Sequence, residues 1–270
     1  MIRLLVDEAL PGVRNMAVDE ALMRSAGSDA GGVTLRFYRW EPGCLSFGRN
    51  QEALGAYDPK AAADLGIDVV RRPTGGRAVY HHQELTYSVT APAGIWGSLR
   101  ETYGRINRAR AAGLRELGVP ARRVEDESEN AGRRRTAPRA PRPTPRACFR
   151  DPLPGEVTVE GRKLVGSAQW REGGAFLQHG SVLLVDEQHV VDALRTSGGG
   201  SKARVDSGAI SLAEVLGEPP PADALGAALV LGFERELGTH VRRGTLSPHE
   251  AAAAEALARR FADPAWTWRR

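Results

Sequence analysis

Cys148 and Lys163 are the residues of this chain best suited to covalent chemistry. A thiolate attacks acyl donors, and a neighbouring ammonium or guanidinium raises the thiolate fraction at neutral pH by lowering the cysteine pKa. Cys148 closes an arginine-rich stretch and Lys163 follows it by 15 residues, on a predicted hairpin. A cysteine is more often a small buried hydrophobe than a nucleophile, and Cys44, inside a predicted strand, fits that description. The second candidate is the turn running from Arg71 to His81, Arg-Arg-Pro-Thr-Gly-Gly-Arg-Ala-Val-Tyr-His. Gly75 and Gly76 let backbone amides approach a ligand, Arg71 and Arg72 suit a phosphate or an acyl carbonyl, and His81 offers a polar wall. The same residues also read as a hairpin turn with solvated arginines. The third candidate is the pair of predicted strands carrying Gly161 to Gln169 and Gln178-His179-Gly180-Ser181. Taken singly, Lys163 there reads as a solvated strand lysine and His179 as a satisfied core histidine.

The elements that must hold these residues follow from periodicity and turn residues. Pro11-Gly12 predicts a turn, and Asn15 a cap for a helix through Arg24 that places Met16, Leu22 and Met23 in a core. Val33 to Trp40 alternates Leu35 and Phe37 with Arg36 and Tyr38, as a half-buried strand does, and Glu41-Pro42-Gly43 predicts a hairpin into Cys44 to Phe47. Ile67–Arg72 and Glu84–Ala91 flank the glycine turn as strands. Ser98 with Glu101 is a capping box, followed by Leu99, Tyr103, Ile106, Leu114 and Leu117 at helical spacing. Strands are predicted over Val157–Val159, Leu164–Trp170 and Ala175–Val185, making a second sheet or a sheet edge. Helices are predicted over Glu187–Leu194 and Asp223–Leu237, with a flexible Gly198-Gly199-Gly200 between them. A last helix starts from the cap Ser247-Pro248-His249-Glu250. Locally paired strands with helices scattered between them predict an α/β (α+β) fold with a mixed sheet flanked by helices, organised as one domain over residues 1–270 with a C-terminal helical segment at 247–270.

Composition narrows the function classes. The chain has 270 residues, 41% of them hydrophobic, enough for a large core. No stretch approaches the roughly 18 uninterrupted apolar residues of a membrane span, and Asp7 interrupts the N-terminus before a signal-peptide core forms. The reading is a cytoplasmic protein without a disulfide framework, since only two cysteines occur. The formal charge of +4 is concentrated between Arg133 and Arg150, where prolines alternate with arginines. Residues 122–146 therefore read as a disordered Arg/Pro-rich loop. Nucleic acid, an acidic protein and an anionic substrate all match that charge. Nucleic acid is the remote alternative, because no aromatic residues are interleaved for base stacking.

Taken together the candidates resemble the lipoate and biotin protein ligase and transferase superfamily. The resemblance runs from Asn15-Met16-Ala17-Val18-Asp19-Glu20 through Leu35 to Trp40, the Arg71–His81 turn, the Lys163 strand and His179-Gly180-Ser181, with Pro264-Ala265-Trp266-Thr267 familial as well. It implies the superfamily's catalytic domain. The ATP-dependent ligases carry a third glycine where Arg77 stands here. Arg77, Ala147-Cys148-Phe149 and the cysteine–lysine spacing resemble the cysteine-dependent octanoyltransferases. The long Arg/Pro insertion before Cys148 departs from that pattern. The resemblance implies Cys148 as acyl-thioester nucleophile, Lys163 as the residue depressing its pKa, Arg71, Gly75, Gly76, His81 and Lys163 around an acyl tunnel, and His179 as a further substrate-binding residue. It implies octanoyl-acyl-carrier protein as donor, a lipoyl domain or glycine-cleavage H protein as acceptor, and no metal or cofactor. ATP and Mg belong only to the alternative, a lipoate-protein ligase.

Overall fold

A computed structural model describes residues 1–28, 31–124, 149, 155–196 and 207–269. The chain opens with β1 (Ile2–Leu10) and enters α1 (Gly12–Ala26) at Pro11. Then come β2 (Val33–Trp40), β3 (Cys44–Phe47), α2 (Pro59–Asp64), β4 (Asp68–Arg71), β5 (Val79–His81) and β6 (Glu84–Pro92). The middle holds α3 (Leu99–Glu116), β7 (Arg122–Arg123), β8 (Val157–Val159), β9 (Arg162–Glu172), β10 (Ala175–Leu183) and α4 (His189–Ala193). The last third holds α5 (Leu212–Leu216), α6 (Ala222–Leu237), β11 (Val241–Arg243), α7 (Pro248–Ala262) and α8 (Pro264–Thr267).

Eight strands form one mixed sheet in the order β11-β1-β2-β6-β10-β9-β8-β7, and a second sheet has the order β4-β3-β5. β2 and β3 lie where alternation predicts, but they are not a hairpin: β2 pairs with β1 and β6, and β3 with β4 and β5 in the other sheet. Glu41-Pro42-Gly43 is thus a passage between sheets. β1 is a strand that the sequence reading does not include, its apolar run being broken by Asp7 and Glu8. β8, β9 and β10 extend the edge of the main sheet rather than starting a new one.

Helices cover both faces of the main sheet, and strand periodicity decides which residue meets which helix. Leu35 and Phe37 of β2 join Ile106 and Leu114 of α3 and Leu225 and Leu229 of α6 in one core. Tyr38 and Trp40 point the other way, into a core with Met16 and Leu22 of α1 and Leu257 and Phe261 of α7. β2 is therefore buried on both faces rather than half-buried, and Arg36 is 0% exposed.

Local signals fared unevenly. Both capping boxes, Ser98 with Glu101 and Ser247 with Glu250, form as read. Asn15 does not cap: α1 begins three residues earlier, and the buried Asn15 amide donates to the Leu10 and Arg39 carbonyls instead. Arg122 and Arg123 are the edge strand β7, pairing with β8 rather than starting a loop; residues 125–148 and the triple glycine at 198–200 lie outside the described residues. Among the described residues no helix is long and apolar enough to cross a membrane.

Candidate active site

A cavity lies between the main sheet and the turn that follows β4. Met16, Tyr38, Trp40, Val79 and Phe149 supply apolar wall, and Ser46, Arg72, His81, Ser167, His179 and Ser181 supply polar groups. These come from α1, from strands of both sheets and from the turn, so the cavity exists only once the two sheets have packed.

Lys163 is not a solvated strand lysine. It is 1% exposed, and its Nζ lies 2.7 Å from Glu156 Oε1, itself buried. The ammonium also sits 5.2 Å from the centroid of the Phe149 ring, within cation–π range. That ring, fully buried, lines the cavity and rests on β9 at Gly166, where an added Cβ would come within 2.7 Å of Phe149 Cζ. A glycine at 166 thus leaves room for the tip of the Phe149 ring, which any side chain there would meet. Cys148 itself lies outside the described residues. Cys44 has the environment of an inert thiol: fully buried, with its pKa pushed well up by burial and by the nearby Asp68 and Glu84 carboxylates.

His179 and Asp19 form a buried pair at the back of the cavity. Asp19 accepts from Arg36 Nη1 (2.9 Å), Tyr38 Oη (2.8 Å), Ser88 Oγ (2.7 Å) and His179 Nδ1 (3.0 Å). With Nδ1 donating, His179 Nε2 is an acceptor, and the Thr74 hydroxyl donates to it at 2.6 Å. Burial alone would raise the Asp19 pKa, but the His179 hydrogen bond and the Arg36 charge override it and hold the carboxyl below its ordinary value. Burial lowers the His179 pKa more than Asp19 raises it, so the ring stays neutral.

A pH dependence of stability follows. The unfolded chain protonates its histidine near about 6.5 whereas folded His179 does not, so this contribution is full above about pH 6.5 and declines as pH falls below it. Asp19 adds stability above about pH 3.9 that is lost as pH falls through its depressed folded value. Urea midpoints between pH 8 and pH 4 should therefore decrease on acidification, beginning below about pH 6.5. A midpoint that rises over that interval contradicts this assignment of charge.

The glycine turn divides its two arginines. Arg71, placed around the acyl tunnel by sequence reading, points away from the cavity. Its guanidinium donates to the carbonyls of Gly48, Gln51, Trp266, Thr267 and Arg269, fastening α8 and the residues after it. Burial, together with Arg269 and Arg72, pushes its pKa down to about 10. Arg72 lines the cavity instead, donating to the Gly75 and Arg77 carbonyls and to Ser46. Gly76 lines the cavity with φ +100°, a conformation open to glycine, whereas Gly75 is not part of the wall and turns its carbonyl to Arg72. His81 and His179 both line the cavity.

The model for the lipoyl protein ligase A/B catalytic domain matches residues 11–234. The chain belongs to that family. Within it, the chain is 40% identical over 264 residues to a protein of Kyrpidia tusciae named octanoyltransferase LipM, covering 95% of this chain and 94% of that one. A Symbiobacterium thermophilum protein of the same name is 40% identical over 261 residues, covering 94% and 93%. A crystal structure of lipoate-protein ligase A bound with ATP superposes with a TM-score of 0.77 at 25% identity, over 98% of each chain. The bipartite lipoate protein ligase of Thermoplasma acidophilum, at 24% identity and TM-score 0.76 over 98% and 95% of the chains, shares the fold.

Sequence reading assigns Arg72 to ligand binding alongside Arg71, and Arg72 is the one that lines the cavity; sequence reading does not single out Asp19, Ser46, Glu84 or Glu156. Asp19 stands inside the Asn15–Glu20 motif. Glu156 precedes Lys163 by seven residues, and only the register of β8 on β9 brings it alongside.

Proposed function

We propose that this chain is an octanoyltransferase of lipoate biosynthesis, working in the cytoplasm. It takes the octanoyl group from octanoyl-acyl-carrier protein as a thioester on Cys148 and passes it to a lysine of a lipoyl domain or glycine-cleavage H protein. The observation that carries the reading is Phe149: the residue next to Cys148 forms the cavity wall and lies over the ammonium of Lys163. The similarity to the two LipM proteins extends over nearly the whole chain and supports the same reaction.

In this reading Lys163 favours the Cys148 thiolate, and Glu156 holds the lysine in place. Exchange of one thioester for another is close to isoenergetic and amide formation is downhill, so the reaction runs without ATP. The protein's tasks are to position each partner and to keep water from the acyl group. Met16, Trp40, Val79 and Phe149 offer the chain an apolar lining.

The test is intact-mass measurement after mixing with octanoyl-acyl-carrier protein. An added octanoyl group that hydroxylamine removes is expected on the unaltered protein and not on Cys148→Ala. No adduct on the unaltered protein, or transfer that requires ATP, refutes the assignment.

A further inference from the structure

The second half of the proposed reaction sets a requirement that Cys148 and Lys163 do not meet. A lysine at neutral pH is an ammonium, with an ordinary pKa of about 10.4, and has no lone pair until a proton leaves. Lys163 is committed to Glu156 as the cation of an ion pair. The Asp19–His179 pair ends at Thr74, which is fully buried and not part of the cavity wall.

A second carboxylate–histidine pair opens directly onto the cavity. His81 Nδ1 lies 2.9 Å from Glu84 Oε1, and His81 Nε2 lies 2.7 Å from Ser46 Oγ. Glu84 Oε1 also accepts from the Thr86 and Ser181 hydroxyls, so the carboxylate is an acceptor throughout and His81 carries its proton on Nδ1. Nε2 is then the acceptor, and the Ser46 hydroxyl donates to it. Ser46 Oγ in turn accepts from Arg72 Nη1 at 2.9 Å. The hydrogen bonds thus run one way, from Arg72 to Ser46 to His81 to Glu84. The His81 ring is held flat against Trp40, with centroids 4.2 Å apart and planes 13° apart. Ser46 and His81 both line the cavity, whereas Glu84 stands behind them, 1% exposed, with no hydrogen-bond partner for its Oε2 among the described residues.

We propose that Ser46, His81 and Glu84 form a proton relay that deprotonates the acceptor lysine, deepening the octanoyltransferase reading and resting on it. The ammonium donates to the remaining lone pair of Ser46 Oγ, the serine proton passes to His81 Nε2, and the imidazolium is stabilised by Glu84. The freed amine forms its C–N bond to the acyl carbon as the C–S bond breaks. One of the amine's two remaining protons leaves with the departing sulfur as a thiol, and the imidazolium releases its proton to water. The balance is thioester plus ammonium giving amide, thiol and one proton. The other charged and titratable groups around His81 are Arg72 beyond Ser46, the Cys44 thiol opposite it on β3, and His179 with Asp19 from β10 and α1.

The experiment measures the two halves separately on the full chain, acylation by octanoyl-acyl-carrier protein and release of the acyl group to a lipoyl domain, across pH 6.5 to 10. Ser46→Ala is expected to slow lysine transfer about 10²-fold more than acylation at neutral pH. The deficit should shrink as pH approaches about 10, where the lysine loses its proton unaided. Ser46→Thr, which keeps the hydroxyl, should restore transfer, and Glu84→Gln should slow transfer selectively. Equal slowing of both halves, or a deficit independent of pH, overturns the relay while leaving the thioester reading intact. Absence of an acyl adduct on the unaltered protein overturns the parent reading and the relay with it.

Discussion

Lys163→Met is expected to destabilise the protein by about 3–5 kcal/mol, because it leaves the Glu156 carboxylate buried without its cation. It should also slow octanoyl transfer by about 10²–10⁴-fold, the range spanned by a positioned charge or proton carrier. Stability and chemistry separate in the double variant Lys163→Met/Glu156→Gln, which removes both charges. The double variant should recover most of the lost stability, since a neutral pair costs far less to bury than a carboxylate that has lost the Lys163 cation. It should not recover transfer. Urea denaturation and the rate of Cys148 alkylation as a function of pH read the two effects independently. In both variants the alkylation profile should move to higher pH, as the thiol loses a neighbouring cation. A double variant with full transfer and an unshifted profile would show that Lys163 matters only for packing.

Arg36→Met is expected to cost folding as much as Lys163→Met does. Its guanidinium meets Asp7 Oδ2 at 2.6 Å, Asp19 Oδ1 at 2.9 Å, and Asn15 through both the backbone carbonyl and the side-chain oxygen. Methionine fills similar volume but leaves Asp19, fully buried, without the charge that offsets its desolvation. The expected loss is about 3–5 kcal/mol, which for a chain of this size lowers Tm by roughly 10 °C or more. Arg36→Lys should recover little, because an ammonium cannot reach four acceptors spread around a planar fork. Thermal unfolding monitored by circular dichroism decides it, and a Tm within a degree or two of the unaltered protein would mean that the Asp19 cluster is satisfied some other way.

The parts of the fold legible from sequence are those whose physical cause is local. A capping box is complete within four residues, so Ser98 and Glu101 announce α3 as clearly as Ser247 and Glu250 announce α7. The strands β2, β3, β6, β8, β9 and β10 were visible in alternation and turn residues, to within a few residues at their ends. Pairing was another matter. Glu41-Pro42-Gly43 has the composition of a hairpin turn, yet β2 and β3 belong to different sheets, β2 pairing with β1 and β6 and β3 with β4 and β5.

The site shows the same division. The residue types able to carry acyl chemistry, the glycine turn and the order of motifs along the chain were all present in the sequence, and they sufficed to bring out the family resemblance. Which charges are buried was not. Arg36, Arg71 and Lys163 look alike as isolated cations on strands. The packed structure surrounds Arg36 with carboxylates, spends Arg71 on backbone carbonyls near the C-terminus, and sets Lys163 between Glu156 and Phe149. A charge enters a protein interior only where partners converge on it from several elements. That convergence is a property of tertiary contacts between residues up to about two hundred positions apart, such as Arg71 and Arg269, and no local pattern encodes it.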